Sequence, residues 1–511
     1  MNVAAQLDLH ARSDPAALAL VDDPSGLRWS WAQLRRDVAG AQRGLAARGL
    51  RAGDRVGLLL DNRPEFAILF LAAVRGGVVP VLLNTRWSAA ELRLALEDSG
   101  ARMLVCERRL VEQVGAPAVE GLACELVVET GDLLLDALDP IPPTLQRADD
   151  DLAEIMYTSG SSGRPKGVLH HHGHHLANAA SLIDHFELRR QDVGLVPFPL
   201  FHQSGQTIWS LALALGGPLV IVRRWRAEQF PRLLRKHGVT YVHLITTAVT
   251  DLAGEAGAPR GAVADAREGG SSLRLTLFGG GSAGVEQAAA YERRFGGVLC
   301  AGYGRSEGGY SWEPPDRARR RFDRNGIPLR GTAELRIVDP LTDAPLPPGA
   351  VGEIRMRGDA VARGYWRRPD LDAAAFDGDG FMRTGDLGVL DDDGFLTFEG
   401  RADGMVKSGG ENVYPSEVER VLLRQPAVVA AAVVGLPDAR LGQRVAAAVV
   451  VREPHEIEAA LDAWCRAELS GYKRPRAFAI CEQLPLLGSG KVDYGAVMEL
   501  FVEATARGGR R

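Results

Sequence analysis

The chain has 511 residues, of which 46% are apolar and 24% charged, and its formal net charge is −5 at pH 7. This length exceeds what one hydrophobic core usually supports, so we expect two or three domains. The slightly acidic balance gives no electrostatic argument for binding nucleic acid or an anionic membrane.

The cysteines and the apolar segments indicate a protein without disulfides or membrane spans. The five cysteines are scattered and include no C-x-x-C pair, which favours reduced thiols over disulfides or a zinc site. The first segment, MNVAAQLDLHARSDP, has no apolar stretch of signal-peptide type. Arg75 interrupts the most membrane-like segment, FAILFLAAVRGGVVPVLL, well short of a span. We therefore expect a cytoplasmic protein.

From about residue 27 to residue 330, short apolar runs alternate with helix-like segments. The predicted strands are RVGLLLD, GVVPVLLN, ARMLVCE, DLAEIMY, VGLVPFP, GPLVIVR, TYVHLI and RLTLFGG. The predicted helices include RPEFAILFLAAVRG, SAAELRLALEDSG and RAEQFPRLLRKHG. This alternation is typical of α/β layers with largely parallel sheets.

The pattern of apolar runs and turn residues changes twice in the second half of the chain. Residues 331–402 contain short strands separated by Asp-Gly and Pro-Gly turns, which predict a β subdomain. After Arg401 the apolar runs VVAAAVVGLPD and RVAAAVVV and the amphipathic EIEAALDAWCRAELS predict a small α+β unit. The predicted fold is therefore a large α/β domain over residues 1–402, including the β subdomain, followed by a small α+β domain over residues 403–511.

The segment YTSGSSGRPKG, residues 157–167, predicts a phosphate-binding loop. It combines small hydroxyl side chains, glycines and one lysine: Thr158, Ser159, Gly160, Ser161, Ser162, Gly163 and Lys166. Glycines let the backbone approach a ligand, and consecutive amides in such a loop form a concave site for anions. A flexible linker is the plain alternative, but a linker seldom lies between a strand and a helix. The loop is not a Walker A motif, because Gly167 stands where that motif needs Ser or Thr.

The HHHGHH cluster, residues 170–175, follows this loop. It lacks the i, i+4 pair with an acidic partner that typifies a zinc-binding helix. We interpret these histidines as solvated or helix-start residues rather than a metal site.

Four further segments carry candidate ligand-binding groups. GYGRSEGG places Glu307 in a glycine turn, where a carboxylate suits a magnesium ion bridging phosphates. LFGGGSAG allows a flat ring to lie against the backbone. FMRTGDLG presents Asp386 and FEGRAD presents Arg401, a pair that can hold ribose hydroxyls. Each segment alone would also fit an ordinary surface turn.

Together, and in this order, these segments resemble the adenylate-forming superfamily of acyl-CoA synthetases, peptide-synthetase adenylation domains and luciferases. The resemblance covers essentially the whole chain and continues through PFPLFHQSG, RGYWRRPD, GRADGMVKSGGENVYPSEVE and LPLLGSGKVDY. It implies a large N-terminal adenylation domain and a mobile C-terminal lid, with a hinge at Asp403. It also implies ATP, Mg²⁺ and the co-substrate CoA.

The resemblance assigns roles to individual residues. It implies that Tyr157 to Lys166 hold the ATP phosphates and that Gly280, Gly281, Ser282 and Tyr303 surround adenine. Ser306 then lies at the phosphates, Glu307 at magnesium, and Asp386 and Arg401 at ribose. The implied catalytic set is Thr158, Lys166, His202, Glu307 and Lys491.

The reaction explains why these residue types are needed. A carboxylate attacks the α-phosphate of ATP while pyrophosphate leaves, so catalysis is mainly positioning and charge neutralisation. Lys491 can bridge the two anions, where preorganised charge counts most. The chain has Pro485-Leu486-Leu487 where the family usually has Pro-Arg-Thr before the glycine and lysine.

The acceptor and the acid follow from two further segments. SGGENVYPSEVE is of the acyl-CoA synthetase type, with Gly409 and Gly410 letting a pantetheine arm pass close to the backbone. Within it, SEVE from Ser416 to Glu419 predicts a capping box for the next helix. PLFHQSG lacks the acid that would pair with a substrate ammonium, and a buried pocket without a counter-charge disfavours an ammonium. His202 in this segment matches a position near the acyl group in CoA ligases.

The predicted function is therefore ATP-dependent activation of a non-amino carboxylic acid and transfer of its acyl group to CoA. Transfer to a carrier-protein thiol stays open, as do a nucleotide-binding protein that has lost catalysis and a homodimeric assembly. The predicted partners are the small-molecule acid and CoA, without nucleic acid.

Overall fold

The structure is a computed structural model, and its described residues fall into twelve ranges. These are 1–136, 139–158, 165–253, 271–279, 285–316, 324–329, 331, 333–408, 411–438, 440–452, 457–487 and 491–508. Within them the chain forms four sheets flanked by helices. The α/β class predicted from the sequence is confirmed.

The first half of the chain builds two large sheets. A nine-stranded sheet comprises β1 Leu18–Asp22, β2 Arg28–Ser30, β9 Gly194–Val196, β10 Leu219–Ile221, β11 Tyr241–Ile245, β12 Leu275–Gly279, β13 Val298–Arg305, β14 Gly308–Trp312 and β15 Ile327–Pro328. A six-stranded sheet comprises β3 Arg55–Leu59, β4 Val79–Leu82, β5 Met103–Cys106, β6 Glu125–Val128, β7 Leu152–Thr158 and β8 Lys166–His171. The inner strands of both sheets pair in parallel, whereas β2, β8, β14 and β15 pair antiparallel to their neighbours.

The second half of the chain builds two smaller sheets. A four-stranded antiparallel sheet comprises β16 Glu334–Val338, β17 Gly352–Arg357, β18 Met382–Leu390 and β19 Leu396–Arg401. A five-stranded sheet comprises β20 Val406–Ser408, β21 Glu411–Val413, β22 Val428–Asp438, β23 Gly442–Val451 and β24 Phe478–Cys481. The long β22–β23 hairpin, with its Val- and Ala-rich strands, forms the centre of this last sheet.

Fifteen helical segments lie on or between these sheets in the described residues. They are α1 Ala5–Ser13, α2 Trp31–Ala47, α3 Pro64–Gly76, α4 Ala89–Ser99, α5 Arg108–Leu110, α6 Ala116–Val119, α7 His172–Phe186, α8 Gln203–Leu215, α9 Phe230–His237, α10 Thr246–Ala253, α11 Val285–Phe295, α12 Pro369–Ala375, α13 Pro415–Leu423, α14 Ile457–Glu468 and α15 Tyr494–Gly508. Short 3₁₀ turns at Gly131–Leu133, Ala227–Gln229 and Ala402–Gly404 and a π turn at Val111–Gly115 complete the set.

The helix α3 explains the most apolar segment of the sequence. Almost every side chain from Pro64 to Arg75 is buried, and the core around α3 contains residues of both large sheets. A helix that is apolar all round is buried on every side. Among the described helices, none has both the length and the apolar character needed to cross a membrane.

The elements predicted from apolar runs are confirmed. The strand predictions in residues 27–330 correspond to β3, β4, β5, β7, β9, β10, β11 and β12, and the helix predictions to α3, α4 and α9. The strand and helix predictions after residue 331 correspond to β16 to β19, β22 to β24 and α14. The five cysteines are free, as the spacing predicts.

The predicted capping box at SEVE is wrong. The helix α13 begins at Pro415 with Tyr414 as its N-cap, and no side chain caps its first turn. The Ser416 hydroxyl instead donates to the Glu399 carbonyl oxygen at 2.6 Å. The proline starts the helix two residues earlier than a serine cap at position 416 would, because Pro is preorganised for the first helical position. Ser416 is thereby released to tie the small sheet unit to the end of β19.

Candidate functional site

The phosphate loop connects β7 to β8 at the edge of the six-stranded sheet. Thr158 ends β7 and pairs with Lys166, which begins β8. The predicted ligand residues Ser159, Gly160, Ser161, Ser162 and Gly163 lie outside the described residues. The hydroxyl oxygen of Thr158 is buried and has no hydrogen-bond partner among the described residues. A buried hydroxyl without a protein partner at this position fits an incoming phosphate oxygen.

Lys166 and Glu307 meet directly, although 141 positions separate them in the sequence. The Lys166 ammonium donates to Oε1 of Glu307 at 2.8 Å and to the hydroxyl of Tyr365 at 3.0 Å. The same Tyr365 hydroxyl donates to Oε1 of Glu307 at 2.7 Å. The structure therefore brings the predicted phosphate lysine and the predicted magnesium carboxylate together. Tyr365 is an additional member, and its contacts with Lys166 include the face of its ring at 4.3 Å.

Arg305 links this group to the predicted ribose carboxylate. Its guanidinium donates to Oδ2 of Asp386 at 2.7 Å, and its Nε lies 3.4 Å from Oε2 of Glu307. The Tyr303 hydroxyl donates to the same Asp386 oxygen at 2.8 Å. Two carboxylates therefore share one arginine, and both are almost completely buried.

These charges control the protonation of the cluster. Burial alone would raise the pKa of the Glu307 carboxyl, but the positive charges of Arg305 and Lys166 outweigh burial and hold this pKa well below its usual value. Burial likewise disfavours the charged form of Arg305, but Glu307 and Asp386 raise the pKa of its guanidinium. Glu307 and Arg305 are therefore charged at neutral pH.

A second face of the site carries the predicted adenosine contacts. Arg401 ends β19 opposite Asp386 of β18, and its guanidinium lies 3.4 Å from Oδ1 of Asp386. The ring of Tyr303 is stacked on that of Phe398 with centroids 5.8 Å apart. The predicted adenine residues Gly280, Gly281 and Ser282 lie outside the described residues and directly follow β12. The structure therefore brings together Tyr303, Asp386 and Arg401, three of the predicted adenosine residues.

Lys491 reaches this group from the last sheet unit. The backbone N–H of Leu487 donates to the Lys491 carbonyl at 2.7 Å. Desolvation lowers the pKa of the Lys491 ammonium; the charges of Asp386 and Glu307 oppose this effect, whereas that of Arg305 adds to it. Lys491 thus interacts electrostatically with Asp386 and Glu307, the carboxylates that Arg305 also contacts.

His202 is the N-cap residue of α8. Burial lowers the pKa of its imidazole to about 4, and the positive charges of Lys491 and Arg86 act in the same direction. His202 is therefore neutral at physiological pH. The predicted catalytic residues His202 and Lys491 lie close enough to interact, and the described part of PLFHQSG contains no acid.

Of the remaining predicted residues, one is described by the structure and two are not. Ser306 precedes Glu307 in the turn between β13 and β14. Gly409 and Gly410 lie outside the described residues.

Sequence reasoning missed Arg305 and Tyr365. Both lie in segments that the resemblance includes, and a charged residue inside a glycine turn was the available signal for Arg305. Tyr365 had no such signal, because its partner Glu307 lies 58 positions away.

The interpretation of the HHHGHH cluster is half correct. The helix α7 does begin at His172, as expected of helix-start histidines. The expectation of solvated side chains is wrong, since four of these histidines are buried: His170, His172, His174 and His175. They are buried because α7 and β8 pack into the interior beside Glu154 of β7, which is itself fully buried.

The site offers what a nucleotide with bound magnesium requires. Glu307 presents an ionised carboxylate, the oxygen ligand that Mg²⁺ prefers. Thr158 and Lys166 face the segment where phosphates are predicted, and Asp386 and Arg401 can hold two hydroxyls. The donor set therefore fits a magnesium-bound polyphosphate nucleotide.

Two family profiles match the chain. The profile described as AMP-binding enzyme matches residues 7–366, and the profile of the AMP-binding enzyme C-terminal domain matches residues 417–491. The chain is 36% identical to a feruloyl-CoA synthase of Amycolatopsis sp over 495 residues, covering 96% of this chain and 97% of the relative. It is 33% identical to a sulfoacetate–CoA ligase of Cupriavidus necator over 506 residues, covering 96% of each chain.

Solved structures show the same similarity. ATP-bound MatB from Rhodopseudomonas palustris is 29% identical, with a TM-score of 0.87 and coverage of 98% of this chain and 99% of that chain. Apo MatB from the same organism has a TM-score of 0.81 at 29% identity and covers 98% of each chain. An O-succinylbenzoate coenzyme A synthetase (MenE) from Bacillus subtilis in complex with ATP and a magnesium ion has a TM-score of 0.81 at 29% identity, with coverage of 95% of this chain and 98% of that chain.

Proposed function

The chain belongs to the AMP-binding enzyme family and is an AMP-forming acid–CoA ligase, and from that premise we propose how its residues divide the reaction. The first step joins a carboxylic acid without an α-amino group to AMP and releases pyrophosphate. The second step passes the acyl group to CoA. The observation that carries this proposal is the cluster of Lys166, Arg305, Glu307 and Asp386 facing Lys491.

In the first step the residues mainly hold and neutralise charge. Thr158 and Lys166 bind the phosphates, and Tyr303, Asp386 and Arg401 bind adenosine. Glu307 supplies the carboxylate oxygen for magnesium, which when bound screens the phosphate charges. Lys491 donates to the developing negative charge between the acid and the α-phosphate, where preorganised charge has its largest effect. An acidic side chain is absent from the described PLFHQSG segment, so the site provides no counter-charge for an ammonium.

The described conformation supports this first step. The charge of Lys491 reaches Glu307, Asp386 and His202, which is the placement that adenylate formation needs. The TM-score is also higher with ATP-bound MatB, 0.87, than with apo MatB, 0.81. We propose that residues 403–511 form a lid that turns about Asp403 for the second step, because a lysine over the site would obstruct the CoA thiol.

Polar atoms on β11 and β14 support a proposal for the class of acid. His243 packs edge-on against Trp312 with ring centroids 5.6 Å apart, and its ring donates to the Ser204 carbonyl. Gly279, which directly precedes the predicted adenine residues, lies on the other side of His243. The buried atoms Nδ1 of His243 and Nε1 of Trp312 have no partner among the described residues.

An acceptor, a donor and two aromatic rings at one place fit a planar acid that carries a hydrogen-bonding substituent. A buried polar atom without a hydrogen-bond partner destabilises a complex. A substrate that forms hydrogen bonds with these atoms therefore binds more tightly than one that does not. The similarity to a feruloyl-CoA synthase agrees with a hydroxylated aromatic acid.

A pyrophosphate-release assay over a panel of acids tests the proposal. We expect AMP and a CoA thioester as products, faster reaction with hydroxycinnamates than with unsubstituted cinnamate, and slow reaction with all α-amino acids. The variant His243→Leu should remove the preference for the hydroxyl while retaining activity with cinnamate. Formation of ADP, or an α-amino acid as the best substrate, would contradict the proposal.

The acceptor and the assembly need separate measurements. Replacement of CoA by a phosphopantetheinylated carrier protein should give no faster acyl transfer, and the opposite result would favour the carrier-protein alternative. We also propose a cytoplasmic location and a homodimer, and light scattering of the purified protein tests the latter.

A further inference from the structure

Glu154 and His170 form a buried pair directly behind the magnesium carboxylate. They lie opposite each other on β7 and β8, and neither side chain is accessible to solvent. Nδ1 of His170 lies 2.6 Å from Oε1 of Glu154, and Nε2 of His170 lies 2.7 Å from the carbonyl oxygen of Ser306. One imidazole thus joins a buried carboxylate to the backbone immediately before Glu307.

The hydrogen bonds fix the protons of this pair. A carbonyl oxygen only accepts, so Nε2 of His170 carries a proton and donates it to Ser306. The short contact at Nδ1 requires one further proton between His170 and Glu154. Burial would raise the pKa of the Glu154 carboxyl, but His175 and His170 hold it below its usual value. The imidazole of His170 is thus held on both sides, by Glu154 at Nδ1 and by the Ser306 carbonyl at Nε2.

The two sides of the Glu307 turn rest on histidine rings. His170 holds Ser306, and the ring of His174 is stacked on that of His170 with centroids 4.2 Å apart and planes 9° apart. A Cβ at Gly308 would lie only 3.0 Å from Cε1 of His174, so this ring packs against the residue that follows Glu307. The strand β8 therefore contacts the turn twice, through Lys166 at the side chain of Glu307 and through His170 at the backbone before it.

A metal ion is the other reading of this cluster. Glu154, His170 and His175 offer ligand atoms that all lie within 4.8 Å of one another. Both ring nitrogens of His170 are already engaged, however, at 2.6 and 2.7 Å. His174 cannot share an ion with His170, because a ligating imidazole points at its metal in the ring plane and these two planes are parallel. The geometry favours the ion pair.

We propose that His170, held by Glu154, is a positioning residue for the magnesium carboxylate: its bond to the Ser306 carbonyl fixes the turn that aims Glu307 at the phosphates. The proposal rests on the proposed role of Glu307. It acts through the backbone, so it predicts an effect on magnesium dependence and turnover, with the affinity for the acid unchanged.

The test compares two buried histidines of the same segment. His170→Leu removes the donor to Ser306. It should raise the Mg²⁺ concentration for half-maximal pyrophosphate release by about tenfold, which corresponds to the free energy of one charge-assisted hydrogen bond. His172 is buried as well, but its Nδ1 accepts from the backbone N–H of Val3, away from the site. His172→Leu should lower the Tm without changing the Mg²⁺ dependence.

Conservative variants separate positioning from folding. Gln at position 170 can still donate to the Ser306 carbonyl, and Gln at position 154 removes the charge that would otherwise be left unpaired. The Mg²⁺ concentration for half-maximal pyrophosphate release should therefore be close to the wild-type value in the double variant Glu154→Gln/His170→Gln. If His170→Leu does not fold, the double variant is compared with the wild-type protein alone. A normal Tm together with a Mg²⁺ requirement about tenfold above that of the wild type would then overturn the proposal.

Two further outcomes would overturn it. Equal changes in Mg²⁺ dependence for His170→Leu and His172→Leu would show a merely structural role. One equivalent of a transition metal bound by the wild-type protein and absent from His170→Leu would show the metal site instead. Failure of the underlying function is recognised separately, since Glu307→Gln would then leave the Mg²⁺ dependence unaltered.

Discussion

The two halves of the site are built in opposite ways. Glu307, in the turn between β13 and β14, and Asp386, on β18, are buried, and each receives two hydrogen bonds from neighbouring side chains. Lys491 belongs to the last sheet unit and interacts with them through its charge. From this difference we expect the proposed nucleotide half to be preformed and the lysine to be brought to it.

Removal of the delivered group gives the largest expected effect. Lys491→Ala should slow pyrophosphate release by about 10²- to 10³-fold, because a preorganised charge at the reacting phosphate is lost. Acyl transfer from supplied acyl adenylate to CoA should be nearly unaffected, since that step needs the lysine withdrawn. Rapid-quench measurement of the two half-reactions checks this expectation, and equal losses in both would refute the division into fixed and delivered halves.

Acidification probes the preformed half. Burial lowers the pKa of His171, His172, His202 and His243 to about 4, whereas the ordinary value is 6.5. The unfolded chain binds these protons first, so the free energy of unfolding should fall as pH decreases from 6.5 to about 4. We expect a loss of at least about 2 kcal/mol over that window. Urea unfolding as a function of pH measures it, and His202→Gln should reduce the slope.

A change at the ribose carboxylate should have a smaller and more selective effect. Asp386→Asn retains the shape but weakens the bonds from Tyr303 and Arg305, so the KM for ATP should rise about tenfold, as for the loss of one charged hydrogen bond. The KM for the acid should stay the same. Steady-state kinetics with each substrate varied in turn would show the difference, and a change in the KM for the acid alone would argue against adenosine binding at Asp386.

The smallest expected effect concerns the proposed hinge. Gly404 has no left-handed φ in this conformation, and an added Cβ would only reach ordinary contact with Cβ of Arg401 at 3.7 Å. Gly404→Ala should therefore leave adenylate formation unchanged. If the lid turns through a left-handed φ at this residue, alanine costs about 1 kcal/mol there, so thioester formation should slow by about fivefold.

A matched glycine controls for the added methyl group. Gly471 lies in the same unit, and a Cβ there would meet no atom within 4 Å. Gly471→Ala should leave both half-reactions unchanged. Equal slowing of both half-reactions by Gly404→Ala would argue against a hinge at this place.

The sequence predicts local elements better than it predicts side-chain partners. Apolar runs predicted the strands and helices correctly because each run reports its own burial. The histidine cluster was expected to be solvated, because nothing in the local sequence indicates that Glu154 lies beside it on the neighbouring strand β7. Ser416 was expected to cap its own helix, whereas it bonds to Glu399. Partners that are distant in sequence come from the fold.

The site residues follow the same rule. Lys166, Glu307 and Asp386 were predicted because each lies in a short segment that carries the resemblance to the family. Arg305 and Tyr365 escaped notice because their importance lies in contacts with residues far along the chain. The roles of Ser159 to Gly163, of Gly280 to Ser282 and of Gly409 and Gly410 stay predictions.

The internal pairing of Arg305 and Lys166 with Glu307 has a consequence for the order in which ligands arrive. Two cations already neutralise this carboxylate, so a lone divalent ion would face repulsion as well as attraction. A nucleotide brings its own negative charge and can draw Lys166 away from Glu307 as it binds. We expect magnesium to enter as its ATP complex.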